Sequence, residues 1–212
     1  MRTDTYDGAV ARTQKDRSDS TREAVAVAAR QVIAERGFGL ASIAEIAESA
    51  GCSKGALYHH YKDKTALLAA AYENLEQEIT SAIMAAASGV DEPVESLRAG
   101  CHQFVALCAD PEVRRLALID APAGLGWQRW REIDARYGFG LLKAGLQMAG
   151  AAGRIPADHL DERAHLLLAI MMEGALMVGA STEPDETASV VAQLIDQYLD
   201  SMLDSKPIRP KP

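Results

Sequence analysis

The chain has 212 residues, of which 48% are hydrophobic and only 5% aromatic, and its formal net charge is −8. That length can bury a core in one or two domains, and the net acidity excludes a protein that coats nucleic acid or anionic membrane with its whole surface. The acidity is uneven, however: Gly51 to Lys64 carries three Lys against one Asp, and the excess of carboxylates lies beyond residue 64.

Abundant Ala and Leu at helical spacing, with few β-branched runs, predict an all-α fold. The polar residues 1–19 read as a flexible N-terminal arm. Ser20 with Glu23 fits a capping box, so a first helix is expected from there, with Val25, Ala28, Ala29, Val32 and Ile33 on its buried stripe and Gly37 at its end. Ser42 with Glu45 repeats the pattern for a short second helix that stops at Gly51. A turn of Gly51, Cys52 and Ser53 follows, with Ser53 as the N-cap of a third helix whose Leu57 and Tyr61 face the core one turn apart. Two short helices joined in this way spell a helix-turn-helix, giving a domain over 20–64. Asp63 caps a long fourth helix, Lys64 to Ala87, ended by Gly89.

Beyond it, Pro residues mark further helices near 93–109, 111–119, 127–151, 158–181 and 185–203. Asp120 to Gly126 reads as a loop, 65–205 as a second helical domain, and 206–212 as a disordered tail. The apolar run Leu166 to Ala180 is too short for a membrane span and contains Glu173, so a buried or interfacial helix is expected and no membrane partner. Cys52, Cys101 and Cys108 lack C-x-x-C spacing, and no export signal opens the chain. The expectation is reduced thiols in a cytoplasmic protein.

The stretch "SKGALYHHYKDK", 53–64, places Lys54, Gly55, Tyr58 and His59 on the outward face of the third helix. Lys and Tyr reach phosphates and base edges, Gly permits close backbone approach, and a helix N-terminus at Ser53 attracts phosphate. His60 and Lys64 suit flanking phosphates, although His60 also fits a role in bracing the helix exit. Tyr61 reads as a core aromatic.

Leu40 to Leu68, "LASIAEIAESAGCSKGALYHHYKDKTALL", resembles the DNA-binding region of the TetR family of one-component repressors, through its G-x-S-K-G-x-L-Y-x-H-[FY] core and its K-x-x-L-L start of the fourth helix. The resemblance implies DNA contacts from Ile43, Cys52, Ser53, Lys54, Gly55, Tyr58, His59, His60 and Lys64. Family members often carry Thr or Ser where Ile43 and Cys52 stand here. The segment "DAPAGLGWQRWREIDARYG" resembles one recurrent ligand-domain subgroup of that family.

The last two helices carry broad apolar stripes, and Leu166, Ile170, Val191, Leu194, Ile195 and Tyr198 are the expected homodimer interface. His102, Phe104, Trp127, Trp130, Met172 and Glu173 are the expected ligand-binding residues, since aromatics and Met with a few polar groups line pockets for small apolar ligands. The same residues at helical spacing also fit plain core, and Glu173 also fits a structural pair with Arg114, Arg115, Arg131 or Arg136. Cys101, His102 and Cys108 do not make a metal cluster, and no catalytic motif is present, so neither an enzyme nor a cofactor is expected. The function expected is a TetR-like repressor, homodimeric on a palindromic double-stranded DNA operator and released by a small-molecule effector. The alternative is a DNA-binding regulator whose second domain serves only dimerisation or protein docking.

Overall fold

The computed structural model describes the backbone of residues 5–203, and side chains at residue 16 and from residue 18 onward; the expected tail over 206–212 lies outside the described residues. Every regular element among them is helical. In chain order these are α1 (Thr5–Arg36), α2 (Ile43–Ser49), α3 (Lys54–His60), α4 (Lys64–Ala87), α5 (Pro93–Leu107) and α6 (Pro111–Val113). A π-helical segment (Arg114–Asp120) follows, then α7 (Ala121–Leu125), α8 (Trp127–Asp134), α9 (Gly138–Ala151), α10 (Leu160–Ala180) and α11 (Pro184–Leu203). The chain divides into two compact units, one up to Asn74 and one from Leu75.

In the first unit, α1 does not open at Ser20. It runs from Thr5 straight through the Ser20 and Glu23 pair, so residues 5–19 are helix rather than a flexible arm. A capping pair marks a helix start only where something stops the turn before it, and no Pro stands upstream of Ser20. Val25, Ala28, Ala29 and Ile33 form its buried stripe. Ser42 does open α2: its Oγ accepts from the Glu45 N–H at 3.2 Å, while Glu45 Oε2 accepts from the Ser42 N–H at 3.0 Å. Gly51 then turns the chain at φ +64°, a left-handed backbone that favours glycine. Ile46, Ala47, Leu57 and Tyr61 are buried in this unit along with Val25 and Ile33, as are Leu67, Leu68, Ala71 and Tyr72 from the first turns of α4.

In the second unit α5, α9, α10 and α11 enclose one core. Val94, Leu97, Cys101 and Val105 of α5 pack with Leu142, Leu146 and Ala149 of α9, with Leu167, Leu168 and Met171 of α10, and with Val191, Ile195, Leu199 and Met202 of α11. Small residues let the helices approach. A side chain at Gly145 would strike Leu97, and one at Gly174 would strike Val191. At 21 residues α10 is long and apolar enough to cross a bilayer, longer than its apolar run suggested. Its inward residues are nonetheless taken up by α5, α9 and α11, as in a core helix.

Two expected boundaries move. The expected loop Asp120 to Gly126 is largely the helix α7, because Pro122 sits in a first turn, where its missing N–H costs nothing. The expected single helix over 127–151 is two. The chain turns at 135–137, and Gly140 then lies so close to the Ala135 carbonyl that a Cβ there would sit 3.0 Å from it.

Candidate nucleic-acid interface and the helical domain

The third helix is fixed from both ends. Ser53 Oγ accepts from the Ala56 N–H at 3.1 Å, and at the far end Tyr61 donates its own hydroxyl to the Arg22 carbonyl of α1 at 2.9 Å. Leu57 is fully buried and Tyr61 nearly so. With that face locked, helical geometry turns Lys54, Gly55, Tyr58 and His59 outward, and all four are exposed; Tyr58 keeps 51% of its surface in water. A large aromatic held half in solvent beside a Lys and a His, in an otherwise acidic chain, is a surface prepared for an anionic partner. Nothing inside the unit crowds Gly55, where a Cβ would find only Ser53 Oγ at 3.8 Å.

The flanking positions are more mixed. His60 is half-buried with its ring edge-on to His59 at 5.2 Å between centroids, so the bracing reading and the contact reading both have geometry. Lys64 is engaged within the protein: its Nζ donates to the Gly39 carbonyl at 3.1 Å and lies 4.7 Å from the centre of the Phe38 ring. Ile43 and Cys52 are half-buried. Lys62 was absent from the expected contacts although it lies in the same stretch. Its side chain is 84% exposed, with a 3.8 Å approach to Asp63.

The expected ligand residues do not converge. His102 on α5 places Nε2 2.7 Å from Asp196 Oδ1 on α11, beside Arg98, whose Nη1 and Nη2 reach Asp196 and Asp200 at 2.8 and 2.6 Å. Desolvation pulls the Asp196 carboxyl up, but the hydrogen bonds from Arg98 and His102 outweigh it and hold the carboxyl below its usual value. Phe104 and Met172 pack against the four-helix core. Glu173 is exposed and faces water, not an apolar interior. Arg114 donates instead to the Gly179 carbonyl at 2.7 Å, Arg115 pairs with Asp120 and Arg131 with Asp134.

The two Trp residues do come together, with ring centres 5.1 Å apart at the start of α8. Around them stands a group absent from the expected site: Arg131, Asp134, Phe139 and His165. The spacing W-x-x-W-R-x-x-D carried its signal, since residues three and four apart on a helix are neighbours. Asp134 is only 6% exposed, and burial raises its carboxyl above the usual range despite the opposing pull of Arg131.

The thiols of the second unit are not reactive centres. Burial pushes Cys101 and Cys108 up to about 12, which keeps both protonated and poor metal ligands near neutrality.

Capped paired helices with an outward basic and aromatic face define a helix-turn-helix DNA-binding protein. Residues 26–71 match the model of bacterial regulatory proteins of the tetR family, and residues 94–202 match the tetracyclin repressor-like C-terminal domain. The chain is 27% identical over 185 residues to an HTH-type transcriptional repressor of Mycobacterium tuberculosis, covering 86% of this chain and 94% of that protein. Its fold is similar to that of a TetR-family transcriptional regulator from Pectobacterium atrosepticum, with a TM-score of 0.75 at 23% identity over 91% of this chain and 98% of the other. It is also similar to that of RolR in complex with the ligand resorcinol, at a TM-score of 0.68 and 20% identity over 93% and 98%. The chain belongs to the TetR family, and it is a non-enzymatic transcriptional repressor that binds DNA.

Proposed function

We propose that the protein works as a homodimer on a palindromic operator and releases it when a small effector binds the second unit. The observation that carries the dimer is an apolar stripe left in water by the single chain. Leu166, Leu176 and Met177 of α10 are 60%, 42% and 50% exposed, and Val190 and Leu194 of α11 are 50% and 52% exposed. These recur at helical spacing on the outer faces of two packed helices, the pattern of a bundle awaiting two more. One helix-turn-helix reads one half-site, and two copies joined through these helices would read half-sites about 34–36 Å apart. Of the residues expected at this interface, Leu166 and Leu194 lie on the stripe and Ile170 and Tyr198 are half-buried. Val191 and Ile195 turn into the chain's own core, because the α11 stripe is wide enough to serve two faces.

Contacts to DNA are assigned to Ser53, Lys54, Gly55, Tyr58 and His59, with His60, Lys64 and Ile43 on the flank. Effector binding is supported by the half-exposed aromatic group on α8 and by the likeness in fold to a regulator solved with a small aromatic ligand. α4 contributes residues to both compact units, so an effector that displaces it would reach the reading head through one continuous helix. A coupling of about 1–3 kcal/mol would change operator affinity about 5- to 150-fold. The cytoplasm is the site of action this reading requires.

The test is fluorescence anisotropy on the DNA upstream of the protein's own gene against a scrambled duplex, at several salt concentrations, with the wild type and Leu194→Glu. The wild type should bind selectively and with strong salt dependence. Leu194→Glu should sediment as a monomer and lose selective binding. A variant that remained dimeric would place the interface elsewhere.

A further inference from the structure

The aromatic side of α8 already holds a cation, and it is the protein's own. The guanidinium carbon of Arg131 lies 5.3 Å from the centre of the Trp127 ring, 5.7 Å from Trp130 and 5.8 Å from Phe139. Its Nη1 donates to Asp134 Oδ2 at 3.0 Å, and its Nη2 is 3.4 Å from His165 Nδ1, whose ring stacks on Phe139 at 4.5 Å. Aromatic faces backed by a carboxylate are how proteins recognise organic cations.

Two features set this group apart from a closed structural cluster. Trp127, one wall of the cage, is 68% exposed, so the cage opens to solvent on that side. Trp130 is 3% exposed and its Nε1 has no hydrogen-bond partner, although a buried indole donor ordinarily has one. The site thus carries an unfilled demand for an acceptor beside a filled demand for a cation. Behind Asp134 a second buried carboxylate stands close. The point where a Cβ on Gly138 would sit is 3.3 Å from Asp134 Oδ1 and 4.0 Å from Glu76 Oε2.

Resting on the effector-released repressor reading above, we propose that this cage is the effector site, that the effector is a planar guanidinium or amidinium cation bearing an oxygen acceptor, and that it binds by replacing Arg131 on Asp134. The exchange substitutes one cation for another, so the buried carboxylate is never left unpaired, and Arg131 moves out to water past Trp127. A neutral or anionic molecule of the same shape would leave the buried Asp134 with the Phe139 N–H but no paired cation, which is costly. The acceptor oxygen would take the free Trp130 N–H. 4-Guanidinobutanamide, which carries a carbonyl oxygen, should therefore bind more tightly than butylguanidinium, which has none, and equal affinity would remove the acceptor from the proposal.

The experiment uses the full-length protein with butylguanidinium, its uncharged isostere butylurea, and pentanoate, read by tryptophan fluorescence and calorimetry. Butylguanidinium should bind saturably and the other two should not. In Arg131→Met, where the internal competitor is gone, butylguanidinium should bind roughly tenfold tighter, as expected if the cage is open in about one molecule in ten. Asp134→Asn should weaken it roughly tenfold or more, and Trp127→Ala, at an exposed position tolerant of change, should weaken it less. Butylguanidinium affinity unchanged or lost in Arg131→Met, or pentanoate binding that depends on Arg131, would overturn the proposal, the second by making Arg131 an anion receptor. Operator affinity measured on the same samples separates the two readings. No selective operator binding by the free protein would sink the effector-released reading itself, whereas intact operator binding that butylguanidinium fails to weaken would sink only the effector assignment.

Discussion

The outer face of α3 and the aromatic group on α8 are built from the same kinds of residue, cations beside aromatic rings, yet they use them in opposite ways. On α3, Lys54, Tyr58 and His59 point to water, while Leu57 and Tyr61 anchor the opposite side. On α8, Arg131 is turned back on Trp127, Trp130, Phe139 and Asp134 of its own chain. The difference is one of locking. A helix capped at Ser53 and pinned by the Tyr61 hydroxyl leaves its outer side chains no internal use, whereas α8 starts after Gly126 with no side-chain cap and has a buried carboxylate of its own to satisfy.

The contrast breaks most severely if the anchor of α3 is removed. Leu57→Ala should cost about 2–5 kcal/mol of stability, because the site is fully buried, and denaturant unfolding together with loss of operator binding would show it. In the second unit, Gly174→Val should cost roughly 1–3 kcal/mol by forcing α10 away from Val191 on α11; an unchanged melting temperature would refute that packing. Ser53→Ala should cost about 1 kcal/mol through the lost cap, and operator affinity should fall with it. Lys64→Ala sharpens the comparison at its ambiguous point. As a phosphate contact, Lys64 should lower the salt slope of DNA binding by about 1 when removed, whereas if it serves only as a tie to the Gly39 carbonyl the slope should stay.

The smallest effect is in acid. The Asp196 carboxyl is held below its ordinary 3.8, so it contributes stability above that pH and loses it as pH falls through the lowered folded value. Asp196→Asn should therefore flatten the stability profile only in that acid window, as read by thermal melts across pH.

How much was legible in the sequence follows the same division. The capping box at Ser42, the N-cap at Ser53 and the register of Leu57 against Tyr61 are local signals, and local chemistry decides them. Ser20 misled because the helix was already running when it arrived. Glu173 misled because a carboxylate in an apolar run looks buried until the helix is seen to keep one side in water. Val191 and Ile195 were placed on a partner because a stripe that wide does not reveal which edge the chain keeps for itself. The cage on α8 depends on Phe139 and His165, which reach it only through the turn at 135–137 and the packing of α10, beyond what spacing along one helix conveys.

The unequal burial of the three cysteines offers a practical handle. Cys101 and Cys108 are sealed in the second unit and stay protonated, while Cys52 is partly accessible in the turn just before α3. A maleimide dye added to the unmodified wild-type protein should therefore attach at one place, next to the reading head. The chain comes with its own single-site reporter, whose brightness would follow the arrival and departure of DNA without any engineered substitution.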